Sequence, residues 1–217
     1  MHSSPDPHAA QPVLAYGPPP EAARLTVLLL HGRGDSAAGI LGLAPALAIP
    51  DVAFVAPEAA GHTWYPLSFM SPIEQNEPSL SSALRRIATL VASLGERGVS
   101  PERIALMGFS QGACLALEFA ARNPRRYAAV VGLSGGLIGP RGQLRAYDGS
   151  LERTPLFLGC SDVDAHIPVD RVRESADVFR RLDAAVDERI YPGLGHTVVD
   201  DEVQAVRALL RANPGGA

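Results

Sequence analysis

The sequence contains no hydrophobic run that is long enough to cross a membrane. Its longest aliphatic run, Val27 to Leu30, is far shorter than the ~20 apolar residues that a membrane-spanning helix needs. The first residues, Met1 to Gln11, also lack the apolar stretch of a secretory signal. The sequence therefore predicts a protein without a membrane span, and we expect it in the cytoplasm.

The sequence also has no excess of basic charge and only two cysteines. It carries 19 Lys plus Arg against 23 Asp plus Glu, a formal charge of -4, and no basic run that could neutralise successive phosphates. This balance argues against nucleic acid as a partner. Cys114 and Cys160 lie in separate apolar segments rather than in a spaced ligand set. They are therefore predicted to be buried thiols in a reducing compartment, and we expect no metal site.

What the sequence does contain is enough apolar material for one folded domain. Of its 217 residues, 47% are hydrophobic and 19% are charged, a balance typical of a chain with a buried core. Residues 1–20 are rich in proline and predict a mobile or extended N-terminal arm. Residues 21–217 are expected to form a single domain.

Short apolar segments alternate with longer amphipathic ones through this domain. Helices are predicted from Ser79, which can cap the first turn, and after Gln111, Pro168 and Asp200. Strands are predicted over residues 25–30, 52–56, 103–107, 128–133, 155–159 and 188–191. The alternation indicates an α/β fold with a doubly wound, mostly parallel sheet and helices on both faces. Ligands of such sheets bind beyond the carboxyl ends of the strands.

The pattern Gly-x-Ser-x-Gly occurs twice, around Ser110 and around Ser134. A nucleophilic serine in this pattern needs a strand before it and a helix after it, because the tight turn between them exposes the hydroxyl. Ser110 follows a predicted strand and precedes a predicted helix, whereas Ser134 is followed by Gly-Gly-Leu-Ile-Gly-Pro, which breaks helices. Ser110 is therefore the predicted nucleophile, and Ser134 is predicted to end the next strand near the site.

A serine hydroxyl needs an imidazole to accept its proton and a carboxylate to orient that imidazole. His196 follows the predicted last strand in a glycine-rich loop, and Asp162 and Asp164 follow the strand that ends at Gly159. His166 is too close to these aspartates in the sequence to face them from another loop. Alternation along an extended segment points both aspartates the same way, so the residues alone leave Asp162 and Asp164 open.

Four segments, taken together, carry a resemblance to a known family: Leu30-His31-Gly32-Arg33-Gly34-Asp35, Gly108-Phe109-Ser110-Gln111-Gly112-Ala113, Asp164-Ala165-His166-Ile167-Pro168 and Gly195-His196. In this order they resemble the phospholipase/carboxylesterase family, which includes bacterial carboxylesterases and acyl-protein thioesterases. The resemblance begins at about residue 24. It implies the α/β-hydrolase fold and assigns the acid to Asp164, four residues before Pro168. No insertion is long enough for a large lid domain.

Two backbone N–H groups are expected to form an oxyanion hole. One belongs to Gln111, directly after the predicted nucleophile. The other comes from the glycine-rich loop that begins at His31, and the resemblance assigns it to Arg33. The Arg33 side chain stands where thioesterases of this family often carry an apolar residue. It is expected either to pair with an acid such as Asp35 or to contact a polar substrate, and His31 is expected to hold its loop.

Trp64, Tyr65 and Phe69 lie in an irregular segment and are predicted to wall the acyl site, although a hydrophobic cluster under a long loop explains them equally well. The expected function is that of a serine carboxylesterase, which hydrolyses small-molecule esters with short to medium acyl chains and needs no cofactor. The alternatives are an acyl-protein thioesterase or lysophospholipase for long chains, and a non-catalytic binding protein. The sequence leaves open whether two copies form a homodimer.

Overall fold

The computed structural model describes residues 6–212. Seven strands lie in this part of the chain: β1 (Val13–Tyr16), β2 (Leu25–Leu30), β3 (Val52–Pro57), β4 (Ile104–Phe109), β5 (Ala129–Leu133), β6 (Pro155–Ser161) and β7 (Ala185–Tyr191). The α-helices are α1 (Ala37–Ile40), α2 (Leu43–Leu47), α3 (Ser79–Glu96), α4 (Gln111–Arg122), α5 (Val169–Arg181) and α6 (Asp200–Ala212). All predicted strands and helices are confirmed, and β1, α1 and α2 are additional.

The strands form one sheet in the order β1-β3-β2-β4-β5-β6-β7. Only β1 runs antiparallel to its neighbour, and every other adjacent pair is parallel. From β2 the chain adds β3 on one side of the sheet, and it then returns to add β4 and the later strands on the other side. The order of the strands therefore reverses between β2 and β4. Such a reversal leaves a crevice at the carboxyl ends of the two central strands. The loops that follow β2 and β4 therefore meet there.

Helices cover both faces of the sheet, as predicted. Leu28 and Leu30 of β2 pack into a core shared with α3, α4 and α5. Val27 and Leu29 face the opposite core, which α1, α2 and α6 close. Because both faces of the strand are buried, its sequence is a continuous apolar run rather than an alternating one. This is the fold of the α/β hydrolases.

The N-terminal segment differs from the predicted arm. Val13 pairs with Pro57 and Tyr16 with Phe54, so β1 extends the sheet at the edge. All four β1 residues are exposed. Since all four, Val-Leu-Ala-Tyr, are apolar, the strand lacks the alternation of apolar and polar residues that would have predicted it. The sheet thus begins before residue 21, the predicted start of the domain. Residues 1–5 of the predicted arm and residues 213–217 lie outside the described part of the chain.

The first turn of α3 is not capped by the residue that the sequence predicts. Ser79, the predicted cap of α3, is its first helical residue, and the Glu77 carboxylate accepts the Ser81 N–H at 3.0 Å instead. Cys114 and Cys160 are buried and unpaired, as predicted. Within residues 6–212 no helix combines the length and apolar character that a bilayer crossing requires.

Candidate active site

Ser110 lies on a sharp turn between β4 and α4. Its backbone has φ 53° and ψ -118°, a region that residues other than glycine adopt only under local strain. A Cβ atom at Gly108 would lie 2.4 Å from the Gly112 carbonyl, and one at Gly112 would lie 2.2 Å from the Leu30 oxygen. The two glycines therefore let β2, β4 and α4 approach closely enough to form the turn. The Ser110 side chain lines the cavity at the crevice.

The second Gly-x-Ser-x-Gly match does not expose its hydroxyl. Ser134 also has a positive φ of 49°, but it is only 1% exposed. Its N–H donates to the Gly159 carbonyl at 2.7 Å, and no helix follows it directly. Ser134 directly follows β5 and lies beside the site, as predicted from the sequence.

Ser110, His196 and Asp164 form a hydrogen-bonded row across three loops. His196 Nε2 lies 2.8 Å from Ser110 Oγ, and His196 Nδ1 lies 2.7 Å from Asp164 Oδ2. Since the carboxylate accepts the Nδ1–H, Nε2 is left free to accept the serine proton. The order is that of a hydroxyl, a base and an orienting acid.

Asp164 is held in its ionised form by the turn in which it lies. Its Oδ1 accepts the N–H groups of His166 at 2.8 Å and Ile167 at 3.0 Å. Burial alone would raise the pKa of Asp164, but the hydrogen bonds from His196, His166 and Ile167 outweigh it and lower this pKa below its ordinary value. A carboxylate that remains ionised is the form that can stabilise an imidazolium.

The other aspartate of this turn has a different role. Asp162 is exposed, and its Oδ1 accepts the Gly193 N–H at 2.8 Å. It therefore ties the loop after β6 to the loop after β7, which carries His196. Asp162 thus bonds to the backbone of the loop that carries His196, whereas Asp164 bonds to the His196 ring itself.

The loop after β2 lies directly against the turn at Ser110. A Cβ atom at Gly32 would lie 3.5 Å from Ser110 Cβ. The buried His31 ring holds this loop, because Nδ1–H donates to the Gly32 carbonyl at 2.7 Å and Nε2 accepts the Ala59 N–H at 3.1 Å. This is the loop-holding arrangement predicted for His31. Arg33, in this loop, and Gln111, the first residue of α4, line the same cavity as Ser110. Their N–H groups remain the predicted oxyanion donors.

The Arg33 side chain bonds to three backbone carbonyls, and its expected contact with a polar substrate stays a prediction. Its Nη1 donates to the Pro66 carbonyl at 2.9 Å, and its Nη2 donates to the carbonyls of Tyr65 at 2.9 Å and Leu67 at 2.7 Å. The guanidinium thus joins the loop after β2 to the segment 65–67. The expected ion pair with Asp35 is not formed, since the donors are directed at backbone oxygens instead.

Trp64 does not wall the cavity, contrary to the prediction. It is fully buried, and its indole N–H donates to the His31 carbonyl at 2.9 Å. Its backbone N–H donates to Gln111 Oε1 at 2.9 Å, while Gln111 Nε2 donates to the Tyr65 carbonyl at 2.8 Å. Trp64 therefore lies behind the site and contacts both the loop after β2 and the first residue of α4, which carry the predicted oxyanion donors. An aromatic residue in an irregular segment gives no sequence signal for its direction.

A cavity of about 520 Å³ opens beside Ser110. Tyr65 and Phe69, both predicted there, line it, and among residues 6–212 no acidic side chain does. Cys114 also reaches the cavity, and burial raises the pKa of its thiol to about 12, so this cysteine is uncharged at neutral pH. The remaining lining residues include Arg33, Pro66, Leu67, Ser68, Gln111, His166, Ile167 and His196.

Two rings fix the imidazole of His196 at the rim of this cavity. Phe109 packs at a centroid distance of 4.9 Å, and His166 packs edge-on at 4.8 Å. His166 contacts the base rather than the serine. In the described part of the chain, no cluster of three or more His, Cys, Asp or Glu side chains could hold a metal ion.

Known proteins resemble this chain in sequence and in structure. The sequence profile of the phospholipase/carboxylesterase family matches residues 15–213. The chain belongs to this family. It is therefore a hydrolase of the esterase/thioesterase type.

Three of the proteins that resemble this chain match most of its length. A phospholipase/carboxylesterase structure from Dyadobacter fermentans superposes with a TM-score of 0.89 at 39% identity and covers 97% of this chain and 99% of its own. The structure of esterase PE8 gives a TM-score of 0.75 at 27% identity, with 94% of this chain and 98% of its own covered. Acyl-protein thioesterase 1 of Saccharomyces cerevisiae is 30% identical over 88% of this chain and 93% of its own length.

Proposed function

We propose that this hydrolase cleaves carboxylic esters with short to medium acyl chains through an acyl-enzyme on Ser110. The observation that carries the proposal is the continuous row from Ser110 Oγ through His196 to Asp164, with donor–acceptor distances of 2.8 and 2.7 Å. Hydrogen bonds of this length allow proton transfer without rearrangement of the side chains. The row lies at the rim of a cavity that can receive an acyl group.

The proposed reaction has two halves. Ser110 Oγ attacks the ester carbonyl carbon while its proton passes to His196 Nε2, and the negative charge on the carbonyl oxygen is stabilised by the N–H groups of Arg33 and Gln111. When the tetrahedral intermediate collapses, the C–O bond to the alcohol breaks and His196 protonates the leaving oxygen. Water then attacks the acyl-enzyme with His196 as base, and Ser110 is regenerated with release of the acid. Asp164 offsets the positive charge on His196 in both halves.

The shape of the cavity supports esters of limited chain length. Phe69 and Leu67 form its wall, and the Arg33 guanidinium fixes the backbone of that wall through three carbonyls. A wall held in this way has little freedom to move aside for a long chain. Its mixed polar and apolar lining suits a short acyl group with a polar ester linkage.

A fluorophosphonate probe tests the nucleophile. Wild-type protein is expected to be labelled covalently, and Ser110→Ala is expected to lose the label while it stays folded, with Ser134→Ala as the matched control that keeps it. A wild-type protein that is folded and unlabelled would remove the enzymatic proposal. Rates over aryl esters from acetyl to palmitoyl then test chain length, and we expect a maximum at short to medium chains.

A second candidate is long-chain thioester hydrolysis. The observation that favours it is the similarity to acyl-protein thioesterase 1 of Saccharomyces cerevisiae over nearly the whole chain. A rate that keeps rising toward palmitoyl substrates, together with faster cleavage of the thioester than of the matched oxygen ester, would favour this candidate over the carboxylesterase.

A further inference from the structure

His8, from the segment predicted to be a mobile or extended arm, is buried behind the candidate site. It is only 1% exposed, and its ring packs 5.4 Å from the ring of Trp64. His8 Nε2 lies 2.9 Å from the Trp64 carbonyl, and its Nδ1 accepts the Ala60 N–H at 3.0 Å. The side chain therefore holds the backbone at two points of the segment that leads into Trp64.

Trp64 in turn connects the two halves of the proposed oxyanion hole. Its indole N–H holds the His31 carbonyl, two residues before Arg33, and its backbone N–H holds the side chain of Gln111. A displacement of Trp64 would therefore act on both proposed donors at once. The Trp64 ring is packed between His8 and His31, whose ring lies at 5.0 Å.

We propose that His8 is a positioning residue for the oxyanion hole and acts through Trp64. This inference rests on the proposed function, because it gives His8 a role in stabilising the oxyanion formed at Ser110. His8 touches neither the cavity nor the reacting atoms. Its effect is to fix the backbone and ring of Trp64, and thereby the loops that carry the N–H groups of Arg33 and Gln111.

The two hydrogen bonds of the His8 ring require one protonation state and one tautomer. Nδ1 must be unprotonated to accept the Ala60 N–H, and Nε2 must carry a proton to donate to the Trp64 carbonyl. Burial lowers the pKa of His8 below its ordinary value, although the hydrogen bond to Trp64 opposes this. The ring is therefore neutral at physiological pH, in the tautomer that both hydrogen bonds require.

Residues 6–11 are fastened to α3, so His8 is held from its own side as well. Its N–H donates to Ser82 Oγ at 3.1 Å. The Arg86 guanidinium donates to the carbonyls of Ala9 at 3.0 Å and Gln11 at 2.6 Å. α3 thus provides the fixed support against which His8 positions Trp64.

The test compares His8→Ala with His8→Gln and with Asp6→Asn. Asp6 lies in the same segment and bonds to α3 through Ser82 and Arg85, but it forms no hydrogen bond with Trp64. For hydrolysis of an aryl acetate by His8→Ala, we expect kcat to fall about 10-fold with KM within about twofold, less than the loss of a whole oxyanion donor. His8→Gln, which can still donate to the Trp64 carbonyl, should recover kcat to within about threefold, and Asp6→Asn should match wild type.

Tryptophan fluorescence supplies a second measurement, because the sequence has a single tryptophan. His8→Ala is expected to shift the emission of Trp64 to longer wavelength and to increase its quenching by acrylamide, and His8→Gln should do so less. Melting curves accompany each variant. If His8→Ala melts below the assay temperature, His8→Phe replaces it, since Phe fills the ring volume without either hydrogen bond and should lose kcat equally.

The outcomes separate this inference from the function on which it rests. An active wild type with unchanged kcat in His8→Ala would overturn the inference alone, as would an equal loss of kcat in Asp6→Asn or no recovery in His8→Gln. A wild type that hydrolyses no ester and takes no fluorophosphonate label would overturn both.

Discussion

Replacing Glu202 with glutamine is expected to change how the stability of the protein depends on pH. Glu202, in the first turn of α6, is only 1% exposed. Its Oε2 accepts the Val199 N–H at 2.9 Å, while its Oε1 has no hydrogen-bond partner among the described residues. That oxygen packs against Gly159 of β6, where an added Cβ would lie 2.0 Å away. Ionised Glu202 would therefore place a negative charge in a buried and incompletely bonded position.

The size of the effect follows from the pKa of this carboxyl group. Burial raises the pKa of Glu202 from 4.5 to about 7, against the opposing effect of the Val199 hydrogen bond. As the pH rises above about 4.5, the unfolded chain releases this proton while the folded protein retains it, so the free energy of unfolding falls until the folded group has ionised above about 7. The difference between the two pKa values corresponds to a loss of about 3 kcal/mol.

Glu202→Gln cannot ionise, but its side-chain oxygen can still accept the Val199 N–H. We therefore expect the variant to gain about 3 kcal/mol relative to wild type between about pH 4 and pH 8. Urea unfolding at both pH values measures the change, and Asp200→Asn, an exposed neighbour that retains Glu202, should follow the wild-type curve. An identical change in unfolding free energy for Glu202→Gln and wild type would refute the reasoning.

Further predictions concern the candidate site and the turn beneath it. Asp164→Asn is expected to lower kcat by about 10⁴-fold, because the imidazole loses the acceptor that fixes its tautomer, whereas Asp162→Asn should stay within about tenfold of wild type in the same ester assay. Arg33→Leu should raise KM for neutral and anionic esters alike, since the guanidinium holds backbone carbonyls. A larger rise for anionic esters would point to direct substrate contact. Gly112→Ala should prevent stable folding, because its methyl group would overlap the end of β2. Gly95→Ala, in α3 with open space around it, should stabilise the protein by about 0.5–1 kcal/mol in thermal or urea unfolding.

The parts of the structure that the sequence predicts well are those with a steric or periodic requirement. The turn at Ser110 needs small residues on both sides and an apolar strand before it. Both features are visible in the sequence around Ser110. Ser134 shares the glycines but lacks a following helix, and this difference alone separates the two matches. Strands buried on both faces, such as β2, are also well predicted, because they are mainly apolar along their whole length.

The parts that could not be predicted depend on where a side chain points within an irregular segment. Asp162 and Asp164 follow the same strand, but the N–H groups that orient Asp164 belong to a turn to which strand alternation does not apply. Residue type predicted a cavity wall for Trp64 and an ion pair or a substrate contact for Arg33, but both side chains donate to backbone carbonyls. All four residues of β1 are exposed. The strand pairs with β3 through main-chain hydrogen bonds, and these leave no pattern in the sequence.

The backbone conformation of Ser110 sets a limit on how the protein can change. A non-glycine residue in this region carries a strain of about 1–3 kcal/mol, which the surrounding packing must offset in every folded molecule. Glycine is the residue that would relieve that strain, and it has no hydroxyl. Under the proposed function, then, selection for thermodynamic stability would favour glycine at this position, whereas selection for turnover would favour serine.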